Sequence, residues 1–203
     1  MGDETTRPFR DHTMPNAAAL FPDGLVTGAE FIGCRFGHRD WSSVSTATCR
    51  FVECDFTETA WNASVHDSSA FIHCRFRGTN LFAATFRDCK LTGSRFEEAR
   101  WAAATLVRGD WSYTALRNVA WTGFDLTGVK LVEADLTGAH LERAILRDAH
   151  LERATLDGVK WAGADLRGAN LTEVALAGID WHGVRIDVSQ ALLLASSLGA
   201  RLD

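Results

Sequence analysis

From Phe31 to Ile186, every fifth residue is large and apolar. Of the 32 positions in that phase, 30 are Phe, Trp, Leu or Ile, and only Thr46 and His66 depart. A period of five matches neither a helix at 3.6 nor a strand at 2. It marks an internal repeat, in which each unit buries its apolar face by stacking on its neighbours. The slot two residues earlier is small: Ala, Cys, Ser, Thr, Gly or Val at 29 of 32 positions, with Arg39, Phe124 and Ile179 as exceptions. The unit is therefore small-x-large-x-x, clearest in Ala134-Asp135-Leu136-Thr137-Gly138 and Ala164-Asp165-Leu166-Arg167-Gly168. The small residue lets the backbone turn in close, and the large one fills the axis at interior density.

A second period lies inside the first. Trp41, Trp61, Trp101, Trp121, Trp161 and Trp181 differ by multiples of 20, and Leu81 and Leu141 fill the gaps. Four pentapeptides thus make one four-sided coil, and residues 20 apart stack. Phe31, Phe51 and Phe71 form one such column; Phe36, Phe56, Phe76 and Phe96 form another. Residues 29–188 give eight coils. At the strand spacing this is a rod roughly 38 Å long.

The chain of 203 residues reads as one all-β domain, 21–188, preceded by a polar flexible leader, 1–20, and followed by a helix and tail, 189–203. The leader has no apolar core of the signal-peptide kind and no apolar run reaches 18 residues, so a cytoplasmic, non-membrane protein is expected. The net charge of −5 argues against direct nucleic-acid binding. Cys34, Cys49, Cys54, Cys74 and Cys89 all occupy the small slot without a C-x-x-C pair, which reads as small apolar filling rather than a zinc or redox site. The seven His are scattered, no Gly-rich phosphate loop is present, and a filled axis leaves no substrate pocket. Neither catalysis nor a cofactor is expected.

Two places bend the pattern. Around Thr46 and His66 the sequence is polar. It reads either as a loosened face that contacts a partner or as a bulge that turns Val44 and Val65 inward with the polar residues hydrogen-bonded, the bulge being favoured. Beyond Ile186 the repeat stops and a helix is predicted, with Asp187 and Gln190 as a capping box and Gly199 closing it. It is too short to stand alone and must cap the open solenoid end. Leu192, Leu193, Leu194 and Leu198 exceed what one face buries, so the helix reads either as a simple cap or, the favoured reading, as a cap whose spare apolar side pairs with its copy about a two-fold axis.

The repeat resembles the pentapeptide-repeat family, whose fold is a right-handed quadrilateral β-helix. The size, the unbroken coils and the stretches Ser69-Ala70-Phe71-Ile72-His73-Cys74-Arg75-Phe76 and Val184-Arg185-Ile186-Asp187-Val188-Ser189-Gln190-Ala191 resemble the Qnr and MfpA type, MfpA most. That resemblance implies a head-to-head homodimer that binds DNA gyrase, with topoisomerase IV as a second target. It implies protection from quinolone-like or natural-product poisons by mimicry of DNA. Uniform mimicry fails on charge, because residues 29–118 carry 10 acids and 11 bases. Residues 119–188 carry 11 acids and 7 bases. The candidate partner-binding carboxylates are therefore Asp125, Glu133, Asp135, Asp148, Asp165 and Glu173, near the dimer end. The alternative is a non-catalytic scaffold that binds another protein through a solenoid face.

Overall fold

The computed structural model describes residues 8–201. Short strands recur with the period of the coil: β1 (Phe9–Arg10), β2 (Leu25–Thr27), β3 (Glu30–Ile32), β4 (Ser45–Ala47), β5 (Arg50–Val52), β6 (Val65–Asp67), β7 (Ala70–Ile72), β8 (Thr85–Arg87) and β9 (Thr105–Val107). They form two parallel sheets, β1-β3-β5-β7 and β2-β4-β6-β8-β9. From β2 and β3 onward every pairing joins residues 20 apart, such as Phe31 with Phe51 and Thr46 with His66. Regular strand pairing lasts five turns on the β2–β9 side. After a gap between Thr105 and Asp125 the same register resumes on that side as single-residue bridges, ending with Asp165 and Arg185. One column, Glu30, Arg50, Ala70, Lys90, Asp110, Lys130, His150 and Asn170, passes through eight levels. The chain is a four-sided parallel β-solenoid.

The core is the large-residue phase. Phe31 and Phe51 stack at 4.8 Å, Phe51 and Phe71 at 4.7 Å, and Phe36 and Phe56 at 4.6 Å, which is the spacing of the hydrogen-bonded rungs. Small-slot hydroxyls and thiols answer backbone carbonyls one coil back. Thr59 Oγ1 donates to Phe36 O at 2.9 Å, Ser94 Oγ to Phe71 O at 2.9 Å, and Cys54 Sγ to Phe31 O at 3.4 Å. This is why Cys, Ser and Thr alternate in that slot: each is small and each carries a donor.

The segment read as a leader is part of the solenoid from Phe9 onward. β1 pairs with β3, Phe9 stacks on Phe31 at 4.9 Å, and Met14 and Ala17 are buried. A short helix, α1 (Ala17–Leu20), completes the first turn. The apolar positions Phe9, Met14 and Ala17 stand outside the five-residue phase, so periodicity alone missed them. Residues 1–7 of that leader lie outside the described residues.

Thr46 and His66 correct a second expectation. They are hydrogen-bonded as expected, but they neither loosen a face nor form a bulge: both point inward in phase, fully buried, as rungs of β4 and β6. Val44 is buried as an ordinary small-slot residue, and Val65 stays half-buried outside. At the far end, α2 (Val188–Ser197) has the predicted capping box: Asp187 Oδ1 accepts from Gln190 N and Gln190 Oε1 from Asp187 N, both at 3.0 Å. The Gln190 amide also donates to Leu166 O at 2.5 Å and Ala169 O at 2.8 Å, which anchors α2 on the last coil.

Candidate partner surface

The acidic residues of the C-terminal half are placed by the turn chemistry of the repeat. In Ala134-Asp135-Leu136-Thr137-Gly138, Asp135 Oδ1 accepts from Thr137 N at 3.1 Å and Thr137 Oγ1 at 2.6 Å. Gly138 takes the left-handed backbone that closes the corner, at φ 67°. Asp125 makes the same pair of bonds with Thr127, at 3.0 and 2.6 Å. Such an aspartate is first a turn residue; only its second oxygen is free to act outward.

Four of the six candidate carboxylates lie on two ladders, at alternate rungs. Asp125 and Asp165 belong to one, with Ile145 between them. Glu133 and Glu173 occupy a corner, with Arg153 between them in sequence and in stacking order. Asp135 lies on the side beyond that corner, and Asp148 on the corner after the Asp125 side. The six are therefore spread over consecutive sides rather than gathered at one point.

Arginines tie down half of them. Arg167 donates to Asp165 through Nε at 2.8 Å and Nη2 at 2.7 Å, and Arg147 adds Nε at 2.8 Å and Nη2 at 2.7 Å. Asp165 is buried, and the Arg167 guanidinium, then Arg147, hold its carboxyl well below the usual range. Burial pushes the Asp135 carboxyl up, but the bonds from Thr137 and Arg117 outweigh it and leave it lowered. Glu133 receives Arg153 at 2.6 Å. Asp125, Asp148 and Glu173 have no ion pair among the described residues. Of the predicted set, these three are the exposed charges without a direct ion pair. Apart from Arg167, two residues from Asp165, the arginine partners lie 18 or 20 residues away, where charge counting along the sequence does not pair them.

The dimer residues divide as well. Leu192, Leu193 and Leu198 are exposed, the last at 68%, whereas Leu194 packs against the core. Sequence reasoning missed Val188, which is 76% exposed beside them. The helical spacing of Val188 and Leu192 places both on one face. Among the described residues no helix is long and apolar enough to cross a membrane, and no cluster of three or more His, Cys, Asp or Glu has the arrangement of a metal site.

Comparison with solved structures shows the same architecture. The chain superposes on a trypsin-treated form of QnrB1, a plasmid-mediated fluoroquinolone resistance protein, with a TM-score of 0.84 and 20% identity, covering 97% of this chain and 98% of that one. A second trypsin-treated form gives 0.83 at 20% identity, over 97% of each chain. The full-length form of the same protein gives 0.62 at 18% identity, over 95% of this chain and 97% of that one. No curated protein matches the sequence significantly. Residues 63–141 match the family description "pentapeptide repeat region", and residues 149–180 match "pentapeptide repeats". Together these matches span more than half of the chain, and it belongs to the pentapeptide-repeat family.

Proposed function

We propose that this protein is a non-catalytic, cytoplasmic ligand of DNA gyrase that protects the enzyme from quinolone-like or natural-product poisons. The observation that carries this reading is the end-to-end likeness to QnrB1, a fluoroquinolone resistance protein, over 97% of this chain. Two features of the molecule support it. The excess of acid lies in the C-terminal half, where Asp125, Asp148 and Glu173 are exposed without a direct ion pair among the described residues. The exposed apolar face of α2, with Val188, Leu192 and Leu198, suits a second copy of the chain, which would join two acidic halves into one central stretch. On this reading the rod occupies the DNA-binding surface of gyrase and its outward carboxylates stand where phosphates would.

The internal pairing of Asp135, Asp165 and Glu133 with arginines favours one other reading, a scaffold that docks a different protein through neutral, shape-based contacts. Binding to purified gyrase holoenzyme across a salt series separates the two. DNA mimicry predicts binding that weakens steeply between 50 and 200 mM salt, as screening acts on exposed charge. No binding at low salt, at micromolar protein, would leave the scaffold reading in place.

A further inference from the structure

Among the described residues, the hydrogen-bond ladder between coils is interrupted at two levels, and each lies at an oversized residue in the small slot. In an intact coil the N–H of one residue reaches the carbonyl 19 positions on: Leu81 N to Arg100 O at 2.8 Å, Ala83 N to Ala102 O at 2.9 Å, Asp88 N to Val107 O at 3.0 Å. One coil later the equivalent donors, Trp101, Ala103, Leu106 and Arg108, have no such bond. Bridges join Asn80 to Arg100 and Ala120 to His140, but none joins Arg100 to Ala120. Likewise β8 pairs with β9 and Asp125 with Ile145, but Thr105 does not pair with Asp125. The other two sides stay bonded through Asp110 with Lys130 and Arg95 with Ala115. The rod is parted on two adjacent sides and held on the other two. A cleft of about 530 Å³ opens there, walled by Ala104, Leu106 and Phe124.

Phe124 is the cause that the residues offer. Its column otherwise holds nothing larger than valine: Val44, Ser64, Ala84, Ala104, Ala144, Ala164 and Val184. Its ring, half-buried, lies against Trp121 at 5.9 Å, and Trp101 meets Trp121 edge-on at 83°. Trp111, the one tryptophan outside the 20-residue series, is packed against both. A close-packed axis has no room for an extra ring, so the backbone bonds between coils give way.

Ile179 repeats the pattern. Bridges join Asp135 to Thr155 and His140 to Lys160, but none continues to Ala175 or Asp180, while His150 with Asn170 and Asp165 with Arg185 hold. A cleft of about 390 Å³ lies there, walled by Leu156, Trp161 and Ile179. The third exception, Arg39, is the control. Its side chain is exposed, and Ala60 N still reaches Arg39 O at 2.9 Å.

We propose that these two seams are hinges, wedged by Phe124 and Ile179, that divide the rod into three stiff segments. Both seams open on the side carrying Arg100, Ala120, Lys160 and Asp180, so flexing at either changes the curvature the rod presents to a partner. The test is amide hydrogen exchange on the full chain with residue resolution. The expected result is that Trp101, Ala103, Leu106 and Arg108 exchange about 100-fold faster than Leu81, Ala83, Phe86 and Asp88. Phe124→Val, which restores the size of Val44 and Val184 in that column, slows the first set at least about tenfold and leaves the second unchanged. Ile179→Ala does the same for the amides of Leu156 and Trp161. Equal protection of the two sets in the unmodified protein would overturn the proposal. So would unchanged exchange in either variant with its folded circular dichroism intact.

Discussion

The Nδ1 atom of His66 lies 2.8 Å from Thr46 Oγ1, one coil away and wholly inside the solenoid. On the other side of the ring, Nε2 is 2.8 Å from Ser64 Oγ, which itself donates to Trp61 O at 2.7 Å. Ser64 has one proton, so Nε2–H is the donor to it and Nδ1 accepts from Thr46. The two polar residues that break the apolar phase therefore satisfy one another, and the ring still stacks on Trp61 at 4.4 Å. A buried polar group is tolerated when its partners are supplied.

This pair makes stability depend on pH. Burial lowers the His66 pKa to about 3, against an unfolded value near 6.5. Between those values the unfolded chain binds the extra proton, so stability is fully present above about pH 6.5 and falls as pH drops toward 3. The loss amounts to roughly 4–5 kcal/mol at pH 3. Urea unfolding of the unmodified protein and of Thr46→Val/His66→Leu at pH 7 and pH 4 measures it. The double variant should lose distinctly less stability between the two pH values; parallel losses would show that His66 carries none of it.

The five thiols should be silent in the native state. All are buried in the small slot, and burial pushes Cys89 up to about 12 and raises Cys74 well above its ordinary value. Because the thiolate is the reactive form, titration with a colorimetric thiol reagent at pH 8 should find none of the five reacting before unfolding and all five after. Rapid labelling of even one in the folded protein would contradict the packing described.

The face of α2 separates assembly from folding. Leu192→Glu and Leu198→Glu alter exposed residues and should leave the melting temperature within a few degrees while reducing the particle from twice 22.2 kDa to 22.2 kDa by light scattering. Leu194→Glu places a charge against the core and should instead cost about 2–4 kcal/mol of stability. An unmodified protein that is already monomeric at high micromolar concentration would remove the proposed dimer.

The six acidic residues should not behave alike. Asp165→Asn breaks the bonds from Arg147 and Arg167 and should cost about 1–3 kcal/mol of stability, with little said about partners. Asp125→Asn/Asp148→Asn/Glu173→Gln keeps the turn acceptor of Asp125 and removes outward charge. It should weaken gyrase binding about tenfold, or ~1.4 kcal/mol, and flatten its salt dependence without moving the melting temperature. Unchanged affinity in the triple variant would place the contact elsewhere.

The fold was legible because the five-residue phase states directly which side chain points inward. Phe31, Phe51 and Phe71 stack where their spacing of 20 puts them. What the phase could not convey is what happens where it is obeyed by an unusual residue. Thr46 and His66 looked like a disturbance, yet Ser64, the partner of His66, was already in the small slot, ready to bond. Phe9, Met14 and Ala17 build the first turn out of register, through a 22-residue offset between Phe9 and Phe31. The candidate carboxylates were found by counting charge, which cannot see that Asp165 is buried between two guanidiniums. The helix cap at Asp187 and Gln190 was readable because it depends on a spacing of three.

The most direct measurement is a gyrase cleavage assay with a fluoroquinolone at a fixed concentration, using gyrase from the native host and titrating in the purified protein. The proposed function predicts that drug-stabilised double-strand breaks decline as the protein rises through the micromolar range, and that the Asp125→Asn/Asp148→Asn/Glu173→Gln variant needs roughly tenfold more for the same effect. Cleavage that stays constant up to high micromolar protein, with supercoiling also unaffected, would contradict gyrase as the target.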